Sequence, residues 1–192
     1  MSIRLDGYKH VTYLIGAMET TAEGDDGSKK REDIEKELLT RKVFPINPVT
    51  LEKYKVDQKT SKVKELMEKW IEENNWSKYA EFSRLIWKGK NFYNNKQGLV
   101  HIPGDFDYVK MSTWITCLYN EGDSPCGTYG EAFLAFELGI PVYLITKTPI
   151  KKLKRSFLQA IYGSGGMVFG SFGEYLNFIE NRYGVYIEEN NK

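Results

Sequence analysis

The chain has 192 residues, enough for one α/β domain with a core of its own. Hydrophobic residues make up 41% and charged residues 28%, with a net charge of +1. That balance is ordinary for a globular protein and lacks the basic excess of a nucleic-acid-binding face. Cys117 and Cys126 are too few for a disulfide framework. The sequence carries no signal-peptide pattern and no apolar run of about 18 residues. A cytoplasmic protein without membrane or nucleic-acid partners is therefore expected.

Met1 to His10 is a polar lead, and Val11 to Gly16 is an apolar, β-branched run that predicts the first strand. An acidic, turn-rich loop from Met18 to Ser28 follows. Arg31, Ile34, Glu35 and Leu38 recur at helical spacing and predict a helix from about Lys29 to Leu39. Val43 to Pro48 is a short second strand. Nothing in this unit is a Gly-x-Gly-x-x-Gly dinucleotide fingerprint. Ser28 and Arg31 stand where a helix start can hold an anion. A solvated loop and helix face is the plain alternative.

Leu51 to Leu85 is rich in Lys and Glu. Val63, Leu66, Met67, Trp70 and Ile71 mark an amphipathic helix. Trp76, Tyr79, Phe82, Leu85, Ile86 and Trp87 continue into a second. This predicts a helical insertion at about 51–87. Its aromatic load suggests either core filling or packing on another subunit. Lys88 to Asp107 reads as loop, with a short strand at Leu99 to Ile102. Asp105 and Asp107 then lead into a short helix from Tyr108 to Thr113, and an Asp there is also an ordinary helix cap.

Trp114 to Tyr119 predicts a buried strand. Asn120 to Gly130 reads as a loop containing Asp123, Ser124, Gly127 and Thr128. Glu131 would then lie in the first turn of a helix that runs through Ala132, Phe133, Ala135, Phe136 and Leu138. Gly139 can stop that helix in the left-handed conformation. Ile140 to Ile145 is the next strand, making a right-handed βαβ unit. In such sheets ligands bind beyond the carboxyl ends of the strands. Glu131 is therefore a candidate catalytic carboxylate, or an ordinary acid balancing the helix dipole. Lys147 to Arg155 is a basic run. Gly163 to Gly166 is a turn whose amides could form an anion nest, without the Lys-Ser/Thr of a P-loop. Ser171 and Glu174 form a capping box before a last amphipathic helix. His10 and His101, the only histidines, are not paired on a helix, so no metal site is expected.

Gly127-Thr128-x-x-Glu131, then Ala132-x-x-Ala135 and Leu138-Gly139-x-Pro141-Val142, resembles the signature of the nucleoside 2-deoxyribosyltransferase family. Tyr13-Leu14-Ile15-Gly16-Ala17 resembles its opening strand and turn. Arg31-Glu32-Asp33 is similar to a stretch of the deoxynucleoside 5′-monophosphate N-glycosidase branch. The resemblance leaves Glu19 to about Asn95 largely unmatched. It implies a Rossmann-like (flavodoxin-like) α/β domain over 1–192, with a mostly parallel five-stranded sheet and helices on both faces. It implies cleavage or transfer of the N-glycosidic bond of a 2′-deoxynucleoside or its 5′-monophosphate, with no cofactor. Glu131 would be the nucleophile, Tyr13 its neighbour, and Asp105 or Asp107 the proton donor. Gly16, Ser28, Arg31, Asp123, Ser124, Gly127 and Thr128 would contact the substrate. The family's subunits often complete one another's pockets, which implies a homo-oligomer, a dimer or higher. Two departures stand out. Ser112, Thr113 and Trp114 occupy the place of a second acid, and Pro125 stands where some transferases carry an Asp. A nucleotide-binding module without turnover is the rival reading.

Overall fold

A computed structural model of the chain describes residues 7–16, 28–48, 50, 60–123 and 126–187. The chain forms two compact units. One comprises Ser2–Asn47 with Val109–Lys192, and the other is Pro48–Tyr108.

The first unit holds a five-stranded sheet. Its strands are β1 (His10–Gly16), β2 (Val43–Ile46), β5 (Trp114–Leu118), β6 (Val142–Ile145) and β7 (Met167–Phe169). Their order is β2-β1-β5-β6-β7, and every neighbouring pair is parallel. This is the expected flavodoxin-like arrangement, and its order reverses between β1 and β5. The apolar runs of the sequence became strands because both faces of the sheet are covered, which lets consecutive residues be hydrophobic.

Alternate residues face opposite sides. Leu14, Trp114, Tyr143 and Ile145 pack against α1 (Ser28–Leu39) through Ile34 and Leu38, and against α7 (Phe172–Tyr183) through Tyr175 and Ile179. Tyr13, Ile15, Ile115, Cys117, Val142 and Leu144 are buried on the other face, under α5 (Cys126–Leu138) and α6 (Arg155–Gly163). Helix α5 buries Thr128, Glu131, Ala132 and Ala135, the i, i+3, i+4, i+7 stripe of a helix lying on a sheet. Gly139 ends that helix at φ +67°, as its sequence position suggests.

The α1/α7 face contains a polar network. Trp114 Nε1 donates to Tyr175 Oη at 2.9 Å, and Thr116 Oγ1 lies 2.6 Å from the same hydroxyl and 2.8 Å from Thr12 Oγ1. Burial pushes the Tyr175 hydroxyl well above its usual range, so it stays protonated as a donor.

The Pro48–Tyr108 unit holds α2 (Thr60–Glu72), α3 (Trp76–Lys88) and an antiparallel hairpin of β3 (Lys90–Asn94) and β4 (Gly98–Ile102). Trp70 of α2 meets Phe82 of α3 edge to face, with ring centroids 5.4 Å apart. The stretch read as loop from Lys88 thus contains two strands. The first has no apolar alternation to announce it; cross-strand pairing with Gly98–Ile102 forms it. Helix α4 (Asp105–Met111) starts three residues before the expected Tyr108. Gly104 caps it: the Asp107 carboxylate accepts from Gly104 N at 3.1 Å, the reach-back half of a capping box. Among the described residues, no helix is long and apolar enough to cross a membrane.

Candidate functional site

Tyr13 points from β1 to the α5 face, where its hydroxyl donates to Glu131 Oε1 at 2.9 Å. Tyr13 is fully buried and Glu131 is 6% exposed. Bringing a carboxylate this deep is costly unless it is hydrogen-bonded, and the phenol supplies such a bond. Glu131 is not in the first turn of its helix. Helix α5 begins at Cys126, so Glu131 lies one turn further in and draws less from the dipole. Gly127 and Gly130 made this segment look like loop; the packing of Thr128 and Glu131 on the sheet overrides their low helix propensity.

Cys117, near the end of β5, lies within electrostatic reach of Glu131. Burial and the Glu131 carboxylate push its thiol pKa up, the Arg31 guanidinium pulls it down, and Asp123 adds to the rise. The thiol is therefore neutral at physiological pH, and three charged side chains act on one point at the end of β5. Arg31 is 1% exposed, so the solvated-helix reading of this residue fails. Gly16 makes room for it. A Cβ at Gly16 would fall 2.4 Å from Leu118 O and 3.3 Å from Arg31 Nη2, and φ is +153°.

Asp123 stands in the loop after β5, where its carboxylate accepts from Asn120 N at 2.7 Å. Thr128 is 2% exposed, and its hydroxyl has no hydrogen-bond partner among the described residues. The first unit thus contains Tyr13, Gly16, Arg31, Asp123, Gly127, Thr128 and Glu131. Ser124 and the side chain of Ser28 lie outside the described residues, as does the loop at 17–27.

Asp105 and Asp107 belong to the second unit. Asp105 opens α4 and is 3% exposed. Asp107 holds Gly104 N and also sits 2.8 Å from His101 Nε2, while His101 Nδ1 lies 2.6 Å from Asn91 Oδ1. Burial, with Asp105 and Asp107 nearby, lifts the Tyr108 hydroxyl to about 12.

Sequence reasoning missed two features. Cys117 was only a buried strand residue, and its place near Glu131 depends on the crossing of α5 over β5. The Gly163 to Gly166 turn is not an anion nest. Its amides are already used: Ser164 N donates to Ala160 O, Gly165 N to Tyr162 O and Gly166 N to Ile161 O. Among the described residues, no cluster of His, Cys, Asp and Glu is placed to hold a metal ion. No protein-family model, curated protein or solved structure matches the chain.

Proposed function

We propose that the chain cleaves or transfers the N-glycosidic bond of a 2′-deoxynucleoside or its 5′-monophosphate. The observation that carries this reading is the buried Tyr13–Glu131 hydrogen bond at 2.9 Å. It joins the two segments on which the family resemblance rests, Tyr13 to Ala17 and Gly127 to Glu131, beside the point where the strand order reverses.

In this reading a Glu131 oxygen attacks the anomeric carbon as the bond to the base nitrogen breaks, through an oxocarbenium-like transition state. Tyr13 fixes the carboxylate by its hydrogen bond. The family resemblance assigns the proton for the leaving base to Asp105 or Asp107, directly or through water. Water or a second base then attacks the same carbon from the opposite side, breaks the glycosyl ester and restores the Glu131 carboxylate. The same resemblance supports a homo-oligomer, a dimer or higher, as the working form.

A binding module without turnover is favoured by one observation. The segment Ser112-Thr113-Trp114 carries no carboxylate, and Trp114 is a fully buried core residue. Incubation with each 2′-deoxynucleoside and 5′-monophosphate, followed by chromatography for free base, decides between the two. Base release by wild type and none by Glu131→Gln is the expected result. No release from any substrate, with or without an acceptor base, would leave the binding module.

A further inference from the structure

A cleft of about 540 Å³ opens at the carboxyl ends of β5, β6 and β7. It is on the α1/α7 face of the sheet, whereas Glu131 and Tyr13 belong to the α5 face, and neither of them lines it. Its floor is apolar, formed by Ile34, Leu118, Ile145 and Phe172. Ile34 and Ile145 are buried, while Leu118 and Phe172 keep part of their surface open.

The rim is tied together before any ligand arrives. Glu121 N donates to Thr148 Oγ1 at 2.6 Å, and Lys147 N donates to Asn120 Oδ1 at 3.2 Å. Thr148 N donates to Thr146 Oγ1 at 3.0 Å. The first two bonds join the loop after β5 to the loop after β6, and the third braces the latter. A pre-formed concavity with an apolar floor and a few fixed polar groups is the usual form of a small-molecule site, and its size falls within the usual range of about 300–1,000 Å³.

The charges around it restrict the class of ligand. Lys30 and Lys147 are opposed by Asp33, Glu121 and Asp123. Glu121 pairs with Lys152 at 2.9 Å, and Asp123 accepts from Asn120 N. At the start of α7, Ser171 Oγ accepts from Glu174 N and the Glu174 carboxylate accepts from Gly170 N, so two amides are taken and a negative charge already stands there. Among the described residues, no arginine lines the cleft. With its lysines and carboxylates balanced, the cleft offers a phosphate-rich ligand no cluster of cations, whereas a neutral flat ring would find the apolar floor, the Phe172 ring and a polar edge.

We propose that this cleft is a second small-molecule site, for a neutral planar heterocycle of the size of a nucleobase or nucleoside. The assignment does not depend on Glu131. Its floor and rim adjoin the Asn120–Asp123 loop that leads towards α5, so an occupant would bear on the segment preceding Glu131.

The test uses the full-length Glu131→Gln protein, so that no probe is turned over. Adenosine and its 5′-monophosphate are titrated by calorimetry, and 8-azidoadenosine is photo-crosslinked and mapped by peptide mass spectrometry. Adenosine should bind, the monophosphate should bind no tighter, and labels should fall within 118–123, 145–149 or 170–172. Phe172→Ala should weaken adenosine at least tenfold, and Lys147→Ala should change it less than twofold. Labels confined to the peptides around Tyr13 and Glu131 would overturn the proposal while leaving the glycosidic reading standing. So would a tenfold preference for the monophosphate that Lys147→Ala abolishes, or no binding at millimolar adenosine. Base release by wild type, measured separately, decides the glycosidic reading whatever the cleft does.

Discussion

At the scale of single residues, the Tyr13–Glu131 pair divides orientation from chemistry. Tyr13→Phe removes one donor from a buried carboxylate and little volume. A hydrogen bond to a charged group contributes about 1.5–3 kcal/mol, so base release should fall roughly ten- to a hundredfold. Glu131→Gln keeps the shape and should abolish release, with thermal stability changed far less than activity. Wild-type kcat/KM in either variant would remove that residue from the mechanism. Gly16 answers a different demand. A Cβ there would meet Leu118 O at 2.4 Å, in a backbone conformation that side chains rarely adopt. Gly16→Ala should lower stability by at least about 1–3 kcal/mol in a denaturant titration. The pairing of Tyr13 with Glu131 was legible only through the two motif-like segments, since their separation in sequence says nothing of contact. The burial of Arg31 was not legible at all. A charged residue near a helix start is usually solvated, yet this one is 1% exposed and its guanidinium lies beside Gly16.

At the scale of elements, legibility followed hydrophobic pattern. The sheet strands β1, β5 and β6 were readable as apolar runs because helices cover both faces of the sheet. The start of α5 was not readable, because Gly127 and Gly130 lower its propensity while Thr128 and Glu131 bury polar groups in the stripe that faces the sheet. Thr128 makes this testable. Its buried hydroxyl has no partner among the described residues, so Thr128→Val should leave the melting temperature unchanged or raise it. If the hydroxyl contacts substrate, the same variant should raise KM. Strand β1 supplies a pH prediction. His10 packs against Trp114 and Tyr183, and burial lowers its pKa below 6.5 despite a backbone hydrogen bond with Tyr183, with Lys9 lowering it further. A base with a lowered folded pKa binds more protons when unfolded, so its contribution to stability falls as pH drops below 6.5 and levels off below the folded value. The loss in melting temperature between pH 8 and pH 5 should therefore be smaller in His10→Phe than in wild type. An equal loss would show that His10 does not drive it.

At the scale of the whole molecule, the two units differ in how much they bury. The sheet unit carries an extensive core on both faces, from Leu14 and Trp114 on one side to Ile115 and Leu144 on the other. In the Pro48–Tyr108 unit, α3 has no fully buried residue, and the hairpin residues Tyr93 and Leu99 are paired across the strands yet 74% and 73% exposed. An isolated two-stranded hairpin is marginal in water, and backbone hydrogen bonds with little apolar cover open readily. Amide hydrogens of Lys90–Ile102 should then exchange orders of magnitude faster than those of β1, β5 and β6 in dilute protein. The proposed oligomer changes that expectation. If a second copy covers the aromatic segment around Trp70 to Trp87 and the hairpin beside it in sequence, their protection should rise with protein concentration while that of the central strands stays constant. Exchange followed by mass spectrometry at low and high micromolar protein, with light scattering at each, separates the cases. Concentration-independent fast exchange with a monomeric mass would sink the oligomer and leave the hairpin as an exposed appendage. Protection that rises together with mass would place the interface on this unit and explain why so many aromatic side chains remain partly exposed there.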